Sequence, residues 1–270
     1  MTKPVEVAPR IGHCIYCPAI SGLSEEHVLP FGLGGRFVLK DASCAACAKI
    51  TGALEQRLLR GQWWPYRKKL GIQTRSKGYP TYRPVKLKQA FGDSIEAMVR
   101  SDDYPIVMFL TFDPPAALSG EIRTDYPFAT KMFAKTIAPM PQRILINGQM
   151  RLLAQGDQIE FPVNFDAGDF ARFLAKVAHG YAIFSRGISA CSEYFLPSYI
   201  LGTGQGALTY VGGASSPLLE AYLPRNGVNA LAIREQGSYL SVYVQLFRDS
   251  GEPPPVYEVL VGRLQAPERN

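Results

Sequence analysis

The sequence lacks a long apolar segment. Among its 270 residues, no apolar run reaches the roughly 18 residues that a membrane-spanning helix needs. The first ten residues, MTKPVEVAPR, also lack the apolar core of a secretory signal peptide. These two absences exclude the usual helical membrane protein and the secreted protein, so we expect a cytoplasmic location and no membrane partner.

Cysteine and histidine are scarce, and their positions are informative. The chain has five cysteines and three histidines. Four cysteines form two Cys-x-x-Cys pairs, Cys14 with Cys17 and Cys44 with Cys47. Such pairs are typical of metal-bound thiolates in a reducing compartment and not of a disulfide framework. The fifth cysteine, Cys191, stands alone and is expected to be a small buried side chain.

The two cysteine pairs predict a structural zinc ion. Four thiolates match the tetrahedral coordination that Zn²⁺ prefers, with Zn–S bonds of about 2.3 Å. Between Cys17 and Cys44 lie 26 residues, more than the roughly 15–20 residues of a common zinc ribbon. We therefore expect the intervening segment to do more than close a loop. His13 lies beside the first pair, but four cysteines already complete the coordination shell.

Acidic residues are absent from one long stretch. Residues 56–92 contain ten Lys and Arg and no Asp or Glu, while residues 1–55 have no net charge and residues 93–270 have a net charge of −4. A basic block of this length favours a polyanion such as DNA, bound in a salt-sensitive way. The alternative is a basic surface linker without a ligand. The candidate nucleic-acid-binding residues are Arg57, Arg60, Arg67, Lys68, Lys69, Arg75, Lys77 and Arg83.

Aromatic residues are interleaved with this basic block. They are Trp63, Trp64, Tyr66, Tyr79 and Tyr82. Aromatic rings next to cations can stack on bases or sugars. Trp63 and Trp64 can equally well pack the N-terminal segment onto the rest of the protein. Three prolines within residues 61–92 predict an irregular or extended connecting segment.

Between the cysteine pairs, the pattern predicts two strands and then a helix. Residues 21–29 are expected to lead into a short first strand, which carries Glu26, His27 and Val28 and ends at Pro30. A glycine-rich turn follows, and residues 36–39 form the return strand. Apolar side chains at three- and four-residue steps then predict a helix from Cys44 to Gly61. Gly52 weakens this helix and is expected to mark close packing.

Strand, glycine turn, strand, cysteine pair and helix, in this order, resemble the zinc-stabilised HNH endonucleases, which have the ββα-metal fold. The resemblance covers about residues 13–60 and rests on both cysteine pairs, on Glu26-His27 followed by Val-Leu-Pro, and on Gly34-Gly35. It implies metal-dependent hydrolysis of DNA phosphodiester bonds. The implied catalytic residues are His27 as general base and Glu26 as a ligand of Mg²⁺ or Mn²⁺. The alternative is a surface pair, or a pair that supports the zinc site.

Ala48 departs from the family pattern, because many zinc-containing HNH sites have Asn or His after the fourth cysteine as a further metal ligand. Alanine ligates nothing. Glu55 is one candidate for the missing ligand, although it lies two turns, about 11 Å, along the helix from Cys47 and can instead pair with a basic residue. Asp41 is another. The departure keeps two alternatives open: a zinc-stabilised nucleic-acid-binding protein without cleavage, or a structural zinc protein that binds other proteins.

The remaining sequence predicts a larger mixed α+β domain whose role the sequence does not indicate. A helix is expected over 166–184, with Asp166 as its N-cap. His179 near its end is expected in the core or at the cap. One face of this helix is an apolar stripe formed by Phe170, Phe173, Leu174, Val177 and Tyr181. The predicted strands lie at 105–112, in a hairpin over 143–153 that turns at Asn147-Gly148, and at 229–247 and 256–264. The predicted class is thus α+β, with a ββα-metal zinc module at 1–60, a connecting segment at 61–92 and an α+β domain at 93–270.

Overall fold

The structure is a computed structural model that describes residues 5–71, 78–90, 92–123, 131–162, 166–216, 221–224, 227–248 and 252–265. It contains both helices and sheets, so the predicted α+β class is confirmed. Over these residues no helix is long and apolar enough to cross a membrane.

The α-helices are α1 (Ala45–Arg60), α2 (Trp64–Lys69), α3 (Ala167–Arg186) and α4 (Pro197–Leu201). The strands of the first half are β1 (Glu6–Val7), β2 (Leu23–His27), β3 (Phe37–Cys44), β4 (Tyr82–Lys88), β5 (Ser94–Arg100), β6 (Ile106–Thr111) and β7 (Lys131–Thr136). Those of the second half are β8 (Arg143–Ile146), β9 (Gln149–Leu152), β10 (Gln158–Glu160), β11 (Cys191–Tyr194), β12 (Val211–Gly213), β13 (Ala230–Gln236), β14 (Tyr239–Gln245) and β15 (Tyr257–Leu264).

Strands β2 and β3 and helix α1 form a ββα unit. In a three-stranded sheet of order β1-β3-β2, β2 runs antiparallel to β3 and places His27 opposite Val38. Strand β3 leads directly into α1, so the return strand is longer than the predicted residues 36–39. The expectation that Gly52 marks close packing is wrong, because a Cβ at this position would have no atom within 4 Å.

Helix α3 packs against a second sheet and also lies against β3. That sheet is antiparallel, with the order β11-β15-β14-β13, and β12 also pairs with β15. The helix begins as predicted, because the Asp166 side chain accepts a hydrogen bond from the backbone N–H of Asp169 at 2.7 Å. Its buried side chains include Phe170, Phe173, Leu174 and Val177, which form the predicted apolar stripe.

The chain divides into two compact units. The first comprises residues 1–58, 109–133 and 166–270, and the second comprises 59–108 and 134–165. The second unit contains α2 and a sheet of order β10-β4-β5-β8-β9. Its core is formed by Val85, Leu87, Val99 and Ile144 with neighbouring apolar side chains. The hairpin β8–β9 turns at Asn147 and Gly148, both with positive φ, as predicted.

This division differs from the predicted boundaries after residues 60 and 92. Residues 166–270 belong with the N-terminal residues, because α3 packs on β3 and its Lys176 pairs with Glu26 and Glu55 of the ββα unit. The described residues of the segment 61–92 are also more regular than expected. Pro65 lies in the first turn of α2, where the missing N–H of proline is tolerated. Residues 82–88 then form β4 in the second unit's sheet.

Candidate metal centre and carboxylate–lysine cluster

Four cysteine thiols converge where β3 passes into α1. Cys14 and Cys17 lie in the loop before β2, Cys44 ends β3, and Cys47 lies in the first turn of α1. All four sulfur atoms lie within 4.8 Å of one another, and Cys17 Sγ is 3.6 Å from the sulfurs of both Cys44 and Cys47. Sulfurs of a tetrahedral Zn–S₄ centre would be about 3.8 Å apart. The cluster can therefore hold one metal ion such as zinc.

Backbone hydrogen bonds hold this cluster in place. The Ile15 N–H donates to the Ala42 carbonyl at 2.8 Å, which ties the first cysteine loop to β3. The backbone N–H of Cys47 donates to the Cys44 sulfur and lowers the pKa of that thiol to about 7. Burial raises the pKa of Cys47 in the same quartet. A bound metal ion would favour the thiolate form of all four cysteines, since the thiolate is the form that binds metal.

A buried lysine from α3 lies between the two carboxylates proposed as ligands of a catalytic metal. The Lys176 side chain is fully buried, and its Nζ lies 2.8 Å from Glu26 Oε1 and 2.7 Å from Glu55 Oε1. Burial alone would lower the pKa of Lys176, but the charges of Glu26 and Glu55 outweigh it, and the pKa is raised. The ammonium is therefore charged and neutralises part of the carboxylate charge. Glu26 and Glu55 do come together, but around a lysine.

The same ammonium binds the backbone beside Glu26. Lys176 Nζ donates to the carbonyl oxygen of His27 and lies 3.3 Å from the carbonyl oxygen of Val28. Gly180, one turn further along α3, lies over Val28, whose Cα would be 3.4 Å from a Cβ at position 180. Helix α3 therefore lies close to this segment, and four oxygen atoms of Glu26, His27, Val28 and Glu55 lie near the Lys176 nitrogen.

His27 lies at the end of β2, as predicted, and is partly exposed. Its Nδ1 atom is buried and has no hydrogen-bond partner among the described residues. The histidine does not combine with Glu26 and Glu55 into a metal-sized group, since the cysteine quartet is the one such group found in the described part of the chain. Asp41, the other candidate ligand, forms an ion pair with Arg10.

Two of the predicted nucleic-acid-binding residues are freely presented. Arg60 and Lys69 are exposed. Arg57 is exposed as well, but both oxygens of Asp169 accept hydrogen bonds from its guanidinium. Arg75 and Lys77 lie outside the described residues.

The other three predicted residues are engaged within the second unit. Arg67 is buried and donates to the Leu59 carbonyl at 3.0 Å. Lys68 pairs with Asp102 at 2.9 Å. The Arg83 guanidinium lies 4.2 Å from the centre of the Trp64 ring, and desolvation lowers the pKa of Arg83.

The aromatic residues of the basic block are mostly buried. Trp63, Trp64 and Tyr66 have at most 7% of their surface exposed. The Trp64 ring contacts the Tyr104 ring edge-on, with a centroid distance of 4.8 Å. The rings of Trp63 and Trp64 are therefore not available to stack on bases. The Trp64 contacts lie within the second unit, so packing of the N-terminal segment onto the rest of the protein stays a prediction.

Positive charge is concentrated in one unit. By sequence, the second unit has thirteen Lys and Arg against six Asp and Glu, a net charge of +7, while the first unit has sixteen against seventeen, a net charge of −1. Lys86 and Lys88 are exposed along β4 and add to Arg60 and Lys69. Most of the positive charge noted in residues 56–92 thus belongs to the second unit.

Lys176 is the functional candidate that the sequence analysis missed. It is 149 residues from His27 in the chain and lies between Phe173 and Val177 of the predicted apolar stripe. A lysine inside an apolar stripe was the sequence signal that could have identified it, because a buried lysine needs a partner of opposite charge. His179, by contrast, lies in the core as expected, with its Nε2 2.8 Å from the Ile15 carbonyl oxygen, and burial lowers its pKa to about 4.

Comparison of the chain with protein-family models, with curated proteins and with solved structures finds no match. The resemblance to HNH endonucleases therefore stays a prediction.

Proposed function

We propose that this chain is a zinc-stabilised nucleic-acid-binding protein whose ββα unit does not carry out divalent-metal-dependent cleavage. The observation that carries the proposal is the engagement of Glu26 and Glu55 by the buried ammonium of Lys176. With Ala48 in place of a further ligand, the residues that would hold a catalytic Mg²⁺ or Mn²⁺ are either absent or already paired.

Zinc is the metal that suits the cysteine quartet. Thiolate ligands are soft and select Zn²⁺ over Mg²⁺ or Mn²⁺, and four protein ligands leave no open position for a substrate. Cys14, Cys17, Cys44 and Cys47 would therefore hold a structural ion. Its role is to fix the loop before β2 against the start of α1.

DNA is the proposed partner because of the charge on the second unit. A net charge of +7 with exposed cations at Arg60, Lys69, Lys86 and Lys88 supports binding to the phosphate backbone. Contacts of this kind position a protein on nucleic acid without reading its sequence. We therefore propose binding without sequence preference.

An HNH-type endonuclease is the second candidate, and one observation favours it. His27 is partly exposed, and its Nδ1 lacks a hydrogen-bond partner among the described residues; an imidazole nitrogen without a partner can accept a proton from a water molecule that reaches it. In this candidate His27 is the general base, and Mg²⁺ or Mn²⁺ binds near Glu26 with Glu55 as a further ligand. Lys176 would have to leave both carboxylates before the metal could bind.

A plasmid assay tests the proposal against this alternative. Zinc-loaded protein is incubated with supercoiled plasmid and either Mg²⁺ or Mn²⁺, and the same samples are run in a gel-shift experiment. We expect a salt-sensitive shift and no nicking. Metal-dependent nicking that is lost in His27→Ala, by the about 10²–10⁴-fold expected of a general base, would instead select the endonuclease. If the protein neither shifts nor nicks DNA, it would be a structural zinc or protein-interaction module.

A further inference from the structure

Among the residues that the structure describes, the ion-pair and hydrogen-bond partners of the Lys176 ammonium are four oxygen atoms, which together form a cage. Two are carboxylate oxygens, from Glu26 on β2 and from Glu55 on α1, at 2.8 and 2.7 Å. Two are backbone carbonyl oxygens, from His27 and Val28. The oxygens come from the ββα unit, whereas the cation comes from α3, more than a hundred residues later in the chain.

This set of ligands is chemically that of a divalent-cation site. Hard cations such as Mg²⁺, Mn²⁺ and Ca²⁺ are bound by carboxylates and backbone carbonyls, completed by water. Glu26 is 6% exposed, so two carboxylates this close together at low exposure need a cation to offset their repulsion. Glu55 keeps 19% of its side chain exposed, which gives the cage an opening to solvent.

We propose that Lys176 is a built-in cation that fills this cage, and that without its ammonium the same four oxygens bind a divalent cation. The proposal concerns the cage alone and does not depend on the binding of nucleic acid. It makes Lys176 the residue that keeps divalent metals out of the protein, and it makes the cage a second metal site in a variant that lacks the lysine.

Thermal unfolding with and without Mn²⁺ tests this proposal. The zinc-saturated variant Lys176→Ala has lost the ammonium and gained space for a hydrated ion. In the absence of Mn²⁺ we expect it to unfold at a lower temperature than the wild type, because two carboxylates are left without a cation. With Mn²⁺ at a hundredfold excess over its Kd, its unfolding midpoint should rise by roughly 5–10 °C. The wild-type midpoint should not change, because Lys176 occupies the cage.

Two further variants make the result specific. Lys176→Ala combined with Glu55→Gln keeps the space but removes one carboxylate, so the Mn²⁺-dependent rise should be lost. Lys176→Gln covers the case in which Lys176→Ala folds only with metal, since an amide can still donate to the two carbonyls and add an oxygen ligand. The proposal is overturned if Mn²⁺ neither raises the midpoint nor restores folding in either Lys176 variant. An equal rise in the wild type or in the double variant would overturn it as well.

Discussion

At the scale of single residues, two polar side chains of α3, Lys176 and His179, are fully buried one turn apart. One of them is charged and the other is neutral. Lys176 is charged because two carboxylates surround it. His179 contacts the Ile15 carbonyl, which can only accept a hydrogen bond, so its Nε2 carries the proton. Its Nδ1 is buried and lacks a partner among the described residues. His179 is therefore neutral, and burial lowers its pKa to about 4.

The low pKa of His179 predicts that the protein becomes less stable in acid. Unfolded chains carry a histidine of pKa about 6.5, so between that value and the folded value of about 4 the unfolded state binds a proton that the folded state does not. The free energy of unfolding should therefore fall with decreasing pH in this window, by up to about 1.4 kcal/mol per pH unit. Urea unfolding of the zinc-saturated protein between these pH values measures the slope.

The matched variant for this prediction is His179→Gln, which does not titrate. The glutamine protein should be less stable than the wild type at neutral pH, because the packing of the imidazole is lost, but its stability should depend less on pH. Protonation of the cysteine thiols affects both proteins, so the difference between their slopes isolates His179. Equal slopes would show that His179 does not titrate as described.

At the scale of elements, the glycines of the ββα unit differ in what surrounds them. A Cβ on Gly35, in the turn before β3, would lie 1.8 Å from the Leu29 carbonyl oxygen, which is a backbone atom and cannot move aside. A Cβ on Gly52, in the middle of α1, would have no atom within 4 Å. Of these two glycines, only Gly35 has surroundings that leave no space for a side chain.

Alanine substitutions should therefore have opposite effects at these two positions. Gly35→Ala forces the turn to rearrange and should destabilise the protein by at least about 2 kcal/mol. Gly52→Ala should stabilise it by about 0.5–1 kcal/mol, because alanine has a higher helix propensity than glycine. Chemical denaturation of both variants checks this. A neutral Gly35→Ala would mean that the chain approaches this turn less closely than the structure shows.

The start of α1 should also depend on zinc. We expect one zinc ion per chain in protein purified without chelator, and we expect chelation to lower the unfolding temperature, because structural zinc contributes about 10–16 kcal/mol in small zinc modules. Elemental analysis of Cys44→Ser and Cys47→Ser should show a loss of zinc. Cys191→Ser is the matched control, since this buried cysteine lies outside the quartet, and it should keep the ion. If Cys44→Ser and Cys47→Ser still contained one zinc ion per chain, the four cysteines would not be the zinc-binding site.

Local elements were predictable from the sequence because their signals are local. The stripe and cap of α3, the Asn147-Gly148 turn and the spacing of the cysteine pairs each lie within a few tens of residues. The pairing of Glu26 and Glu55 with Lys176 was not predictable, because it joins elements that are far apart in the chain, and a lysine within an apolar stripe does not name its partner. The burial of Trp63 and Trp64 was one of two open alternatives for the same reason.

At the scale of the whole molecule, the predicted order of an N-terminal module, a connector and a C-terminal domain does not describe the contacts. The first unit combines both ends of the chain, and the second unit consists of residues 59–108 and 134–165. Residues 166–270 follow the second unit in sequence but contribute α3 to the first. Consequently, the ββα unit is completed by residues that lie beyond the predicted boundary at residue 60, and the excess of positive charge belongs to the other unit.

If the basic unit binds nucleic acid through phosphate contacts, reversing exposed charges on that unit should weaken the binding. Lys69→Glu with Lys88→Glu changes two exposed residues of the second unit. Lys40→Glu with Lys49→Glu changes two exposed residues of the first unit by the same total charge. If phosphate contacts carry the binding, only the first double variant should bind DNA more weakly and with a smaller salt dependence.

The most direct test is a titration of labelled duplex DNA, followed by fluorescence anisotropy, with zinc-loaded wild type and both double variants over a range of salt concentrations. About four phosphate contacts would lower the wild-type affinity by about 100-fold between 50 and 200 mM salt, equally for unrelated DNA sequences. We predict this dependence for the wild type and for the Lys40/Lys49 variant, and a flatter, weaker one for the Lys69/Lys88 variant. Two results would contradict this prediction. One is a wild type that does not bind DNA at low salt, and the other is an equal DNA affinity for the wild type and both double variants.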